Sequence, residues 1–200
     1  MKFVSHLDMN RFMIRMVRMS GIPVWYSEGF NPHPYITFAL PLSLGFDSEY
    51  EVMDIRLDDD LYDNTLVYTK LKSLMPEGIE FFGVGDPMMK AGDVAFASFK
   101  LEFDNLKCFE AQLIEFLNSD TIIAEKKTKK GKMKEIDLKE FIKSFDVCDN
   151  TVELILAAGG SNNLNPKLLI DTFADKYNLQ LPPYSVSRTM LYNEALQEFK

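Results

Sequence analysis

Pro32 and Pro34 stand in the run Ser27-Glu28-Gly29-Phe30-Asn31-Pro32-His33-Pro34 and constrain the chain more than any other feature. Each ring fixes φ near about −65° and removes a backbone donor, and each pushes the residue before it to an extended conformation. Residues 27–34 are therefore neither helix nor interior strand, and the fold must carry a loop there. Apolar runs of strand type flank it at residues 22–26 and 35–40. Upstream, Phe12, Met13, Met16 and Val17 recur at helical spacing over residues 7–19, and Gly21 supplies a stop, so an amphipathic helix precedes them.

Residues 50–57 alternate as a strand, Asp60 can cap a helix over residues 61–74 that Pro76 and Gly78 stop, and residues 79–84 read as another strand. With residues 2–5 as the tail of a first strand, this order is the split βαβ arrangement of a ferredoxin-like domain. A connection punctuated by Gly85, Pro87 and Gly92 follows, and a fresh pattern begins. It gives a strand at 96–103, a helix at 105–117, and a hairpin of 121–127 and 132–138 around Lys129-Lys130-Gly131. A strand at 152–157, a helix at 166–177 opened by Asn165 and Pro166, and a strand at 186–192 complete it. The expected fold is α+β: two tandem ferredoxin-like (split βαβ) halves with antiparallel sheets, residues 1–86 and 94–200, the first strand of the first half truncated.

At 200 residues, 46% hydrophobic and 26% charged, the chain has apolar side chain enough to order itself, which excludes wholesale disorder. The longest apolar stretch, residues 36–46, is interrupted by Pro41, Ser43 and Gly45 and falls far short of the roughly 20 residues that cross a bilayer. The start turns polar at Ser5-His6, unlike a secretory signal, so a cytoplasmic protein without membrane partners is expected. Cys108 and Cys148 lie outside any CxxC, too few for a disulfide framework, a zinc site or an iron–sulfur cluster.

Three groups of residues have chemical potential. His6, Asp8 and His33, with Glu49, Glu51 and Asp54, would form an acid/base or metal site if the loop met the helix start; alternatively Ser5 or Asp8 simply caps the helix and His33 buttresses a turn. Arg11, Arg15 and Arg18 fall on one helix face, where guanidinium forks suit phosphates and where a solvated face is the plainer reading. Lys126, Lys127, Lys129, Lys130, Lys132, Lys134, Lys139 and Lys143 oppose only Glu135, Asp137 and Glu140, a local charge of +5 on a chain of net charge −8. Such a basic hairpin is an electrostatic footprint for RNA or another polyanion, although lysines also solvate hairpin tips and guard sheet edges. Trp25 and Tyr26 are open to base stacking or core packing, the methionines of the first helix read as core or interface, and Gly159-Gly160-Ser161 only loosely suggests an anion-cradling turn.

Ser5-His6-Leu7-Asp8, then Tyr26 to Pro34 as quoted, then Phe38, Pro41-Leu42, Gly45, Ser48, Glu51 and Asp54 carry a resemblance. This pattern resembles the radical-SAM-linked bacterial domain of unknown function, found as a separate small protein or fused behind a radical S-adenosylmethionine enzyme. Beyond residue 57 the likeness thins to Thr128-Lys129-Lys130-Gly131, Asp137-Leu138 and Arg188. Relatives usually have about ten more residues making a full first strand, whereas Lys2-Phe3-Val4 is only its tail. The resemblance implies an auxiliary to a radical-SAM protein, often encoded near ribosomal-protein and ribonuclease genes. The iron–sulfur cluster and S-adenosylmethionine belong to that partner, because this chain lacks the cluster-binding CxxxCxxC.

The expectation is a non-catalytic module that presents substrate, RNA or a ribosome-associated factor, to the partner. Ser5, His6, Asp8, Tyr26, Asn31 and His33 line its cleft, Arg11 and Arg15 hold anionic groups, and the lysine hairpin steers the polyanion. Two other readings stand beside it: a stand-alone enzyme using His6, Asp8, His33 and Glu51, and a scaffold whose methionine-rich helix docks another protein.

Overall fold

Ser5 opens the first helix, α1 (His6–Ser20): its extended backbone turns the chain in, and its side chain accepts from the Asp8 N–H. Gly21, with φ of 63°, closes it in the left-handed conformation that glycine takes without strain. The computed structural model describes residues 2–59, 62–127, 133–160 and 162–200, with the backbone alone described for 126, 127, 133 and 134. After α1 come β1 (Ile36–Phe38), β2 (Asp47–Ser48), β3 (Met53–Ile55), α2 (Asn64–Lys72), β4 (Phe96–Phe103), α3 (Glu110–Asn118), β5 (Ile123–Lys127) and β6 (Met133–Asp137). The chain continues through β7 (Ile142–Cys148), β8 (Thr151–Ala157), α4 (Pro166–Tyr177) and β9 (Tyr184–Tyr192). This is a mixed α/β protein with antiparallel and mixed sheets.

The chain forms two compact units, one of Met1–Phe46, Glu51–Ala91 and Lys200, the other of Asp47–Tyr50 and Gly92–Phe199. The units divide after Ala91, and Asp47–Tyr50 belong to the second unit.

In the first unit, Val17 from α1 and Val67 and Leu71 from α2 bury against Ile22 and Val24, with Ile36, Ile55, Leu57, Phe81 and Val84 packed on them. β1 and β3 pair antiparallel, Ile36 opposite Ile55 and Phe38 opposite Met53. The expected strands are shorter here. Residues 22–26 make only isolated bridges, Val24 to Leu57 and Tyr26 to Pro34, and residues 2–5 and 79–84 join no ladder. Phe81 explains the last: it stacks on Tyr68, centroids 5.6 Å apart, so its alternating apolar pattern reports burial without pairing. Asp60 and Leu61 lie outside the described residues; Asp63 caps α2, accepting from the Thr65 N–H at 2.7 Å.

The second unit carries a five-stranded sheet in the order β2-β9-β4-β8-β7, with β2 parallel to β9 and every other neighbour antiparallel. Alternate residues of β4 (Ala97, Phe99, Leu101, Phe103) and β8 (Val152, Leu154, Leu156) are buried with Leu113, Phe116 and Leu117 of α3 and Leu169, Ile170 and Phe173 of α4. α3 starts later than the expected residue 105. Leu106 is fully buried and its N–H is held by the Asn150 side chain at 2.9 Å, which keeps the segment before Glu110 out of the helix. Strand β7 has no counterpart in the sequence expectation: its half-buried, lysine-bearing edge position gives a weak apolar pattern. The β5–β6 hairpin is pinned at its base by Asp137, whose carboxylate accepts from the Ile122 and Lys139 N–H groups at 2.8 and 2.9 Å, and by buried Leu138.

Candidate functional site

The first unit holds most of the residues singled out by sequence. Ser5 Oγ also donates to Asp8 Oδ2 at 2.7 Å, and Asp8 Oδ1 pairs with Arg11 Nη1 at 3.3 Å, so Ser5 and Asp8 serve the helix start. Arg11, Arg15 and Arg18 line the exposed face of α1, opposite buried Met13, Met16 and Val17. Among the described residues neither Arg15 nor Arg18 has a carboxylate partner. The Arg18 guanidinium instead lies over the Tyr26 ring, 6.0 Å from its centroid.

The proline loop is a closed, outward excursion. Ser27 N–H donates to the His33 carbonyl at 2.9 Å, His33 N–H donates to Ser27 Oγ at 3.1 Å, and Tyr35 N–H donates to the Trp25 carbonyl at 2.9 Å. Gly29, at φ of 120°, makes the reversal that an L side chain would resist. Phe30, Asn31, Pro32 and His33 are all exposed, Phe30 completely.

His6 packs edge-on against Phe38, centroids 5.4 Å apart. Among the described residues no hydrogen bond, ion pair or ring contact joins His6 or Asp8 to Asn31 or His33. Nor does any group of three or more His, Cys, Asp and Glu side chains there converge as a metal site. Glu51 is exposed. Asp54 is half-buried, and burial raises its carboxyl above the usual range.

The structure brings forward a cluster that the sequence did not mark. The Arg56 guanidinium lies 4.5 Å from the Trp25 ring centroid, and Tyr35 meets Trp25 edge-on at 5.8 Å. Neither Arg56 nor Tyr35 belongs to a legible spacing pattern, because their meeting depends on three separate backbone segments. The only signal was Trp25 itself, which pairs with a cation instead of disappearing into the core.

In the second unit, Lys126 and Lys127 lie on β5, opposite Lys134 and Met133. Lys129, Lys130 and Lys132, at the expected hairpin tip, lie outside the described residues. Two other members of the basic span have local tasks: Lys139 Nζ donates to the Leu117 carbonyl at 2.6 Å, near the end of α3, and Lys143 sits over Phe96 at 5.7 Å. The turn at Gly159 is occupied by its own fold, since a Cβ there would come within 3.2 Å of the Val94 carbonyl. Arg188 is 1% exposed and its carbonyl accepts from Glu49 N–H at 2.8 Å and from Ser48 Oγ at 3.3 Å, which ties β2 to β9.

A family profile matches residues 1–166, which takes in the arginine face, the proline loop and the hairpin. The chain belongs to the family described as an uncharacterized protein conserved in bacteria (DUF2344). The family match covers α1 to β8 and ends at Pro166, the first residue of α4, so Arg188 lies beyond it. No curated protein and no solved structure matches the chain. No helix among the described residues of this family member is long and apolar enough to cross a membrane.

Proposed function

We propose that this protein is a non-catalytic binding module that presents an RNA-class substrate to a separate radical-SAM enzyme. The observation that carries the RNA part is the exposed arginine face of α1, with Arg18 laid on Tyr26 beside the exposed loop residues Phe30 to His33. Arg15 and Arg18, cations without carboxylate partners among the described residues, and the ring under Arg18 suit a phosphate backbone with unstacked bases. The radical-SAM partner rests on the resemblance carried by the first 57 residues, and the partner supplies the cluster and S-adenosylmethionine.

We also read the second unit as a ferredoxin-like half, supported by its β4-α3-β7-β8-α4-β9 order, with the β5–β6 hairpin inserted between α3 and β7, and by its β9-β4-β8-β7 strand arrangement. In that half the row Asp146, Glu153, Lys100, Ser187 crosses the sheet. Glu102 holds Lys100 by an ion pair of 2.8 Å. A sheet surface of that charge repels phosphates, which favours the arginine face of the first unit as the RNA contact.

Affinity purification from native cells, split with and without ribonuclease, tests the reading. Recovery of a cluster-binding enzyme that survives ribonuclease, together with RNA, supports it; a protein that comes down alone and free of RNA overturns it. The hairpin's role is checked separately by Lys129→Ala with Lys130→Ala in a filter-binding assay, where an unchanged affinity and salt slope removes it from the interface.

A further inference from the structure

We propose that Trp25, Tyr35 and Arg56 form a stacking platform for one nucleobase of a single-stranded RNA. The proposal rests on the RNA-binding reading above and names where a base, as distinct from a phosphate, is received.

The three residues are held by one another's backbones. Trp25 N–H donates to the Arg56 carbonyl at 2.9 Å, Tyr35 N–H to the Trp25 carbonyl at 2.9 Å, and Arg56 N–H to the Tyr35 carbonyl at 3.1 Å. Their sequence neighbours Val24, Ile36, Ile55 and Leu57 pack on the first unit's core, so strand alternation sets Trp25, Tyr35 and Arg56 on the opposite face. On that face Tyr35 is 51% exposed and Arg56 is exposed, while Trp25 is half-buried.

A purely structural arginine would be expected to find a carboxylate, and among the described residues Arg56 has none. It is ordered instead on the indole, 4.5 Å from the ring centroid. Asp54, two residues earlier in the chain, makes no ion pair with Arg56. What results is a flat, preordered cation on the indole, with the Tyr35 ring edge-on to the same indole. Guanidinium planes and aromatic rings are the surfaces on which unpaired RNA bases stack, and the arginine charge suits the adjoining phosphate.

The chain has a single tryptophan, so its emission reports on this site alone. The full-length protein is titrated with a short, fluorescein-labelled, mixed-sequence single-stranded RNA and with an abasic strand of equal length, following label anisotropy and Trp25 emission in parallel. The expected result is binding of both strands, with Trp25 quenched only by the one that has bases. Tyr35→Ala, at an exposed position, and Arg56→Lys, which keeps the charge and loses the plane, should each weaken the base-containing strand by about tenfold and leave the abasic strand unchanged. If RNA binds while Trp25 emission stays constant, if the abasic strand quenches equally, or if both variants bind as the parent does, the platform is overturned and the RNA reading stands. Absence of any binding overturns both.

Discussion

Tyr50 Oη donates to the Phe199 carbonyl at 2.8 Å, joining residues 149 apart in the chain. Phe199 is itself 1% exposed and its N–H donates to the Leu191 carbonyl at 2.8 Å, so the end of the second unit is fastened to β9 and to the segment that carries β2. Tyr50→Phe keeps the ring and leaves a part-buried carbonyl without its donor. A loss of about 1 kcal/mol is expected from the urea midpoint. An unchanged midpoint would mean that water replaces the phenol without cost.

Phe173 of α4 meets Phe116 of α3 at 5.4 Å between centroids, and both are 1% exposed. Phe173→Ala removes the ring from the layer between helices and sheet, where the neighbours relax only in part. The expected cost is roughly 3–5 kcal/mol, with a smaller loss for Phe173→Leu, both read by urea unfolding. Equal losses for the two variants would contradict the packing argument.

Asp54 gives the first unit a pH-dependent element. Its folded pKa is raised above the ordinary 3.8 by burial. Across the window from that value up to the folded pKa, the folded state holds more protons than the unfolded chain. This contribution to stability is therefore fully present below 3.8 and lost as pH rises through the folded pKa. Asp54→Asn should remove that component: relative to the parent, the variant gains stability on going from acidic to neutral pH. Parallel urea curves at the two pH values check it, and a constant difference between the proteins would show that Asp54 is not desolvated.

Arg15 and Arg18 have no carboxylate partner among the described residues, so their charges are available to phosphates. Replacing both by Ala should lower affinity for single-stranded RNA uniformly across sequences. It should also reduce the slope of log K against log salt by about 1.4, since each phosphate neutralised on a single strand contributes near 0.7. A slope identical to the parent's would place the phosphates elsewhere.

Local physics was legible in the sequence wherever one short stretch decides it. The proline loop follows from two fixed φ angles, α4 from Asn165 and Pro166 at its start, and β4 and β8 from alternation that matches what the sheet buries. The Ser5 cap and the placement of Arg11, Arg15 and Arg18 on one face of α1 follow from helical spacing in the same way. Where one side chain answers to distant segments, the sequence was mute or misleading. Phe81 is half-buried without a ladder, β7 pairs as an edge strand with little apolar signal, and Asp47–Ser48 leave the first unit to lie beside β9.

The candidate site divides along the same line. The amino-acid sequence by itself determined that the chain has an arginine-faced first helix, a loop at residues 27–34 and a lysine-rich segment around residues 126–143, since these depend only on residue identity and short-range geometry. Tertiary structure alone decided that Arg56 rests on Trp25 while no contact joins His6 to His33 among the described residues. Both outcomes are set by which backbone segments hydrogen-bond to one another, and that choice is made by burial of Val17, Val24, Ile36, Ile55 and Leu57 in a shared core.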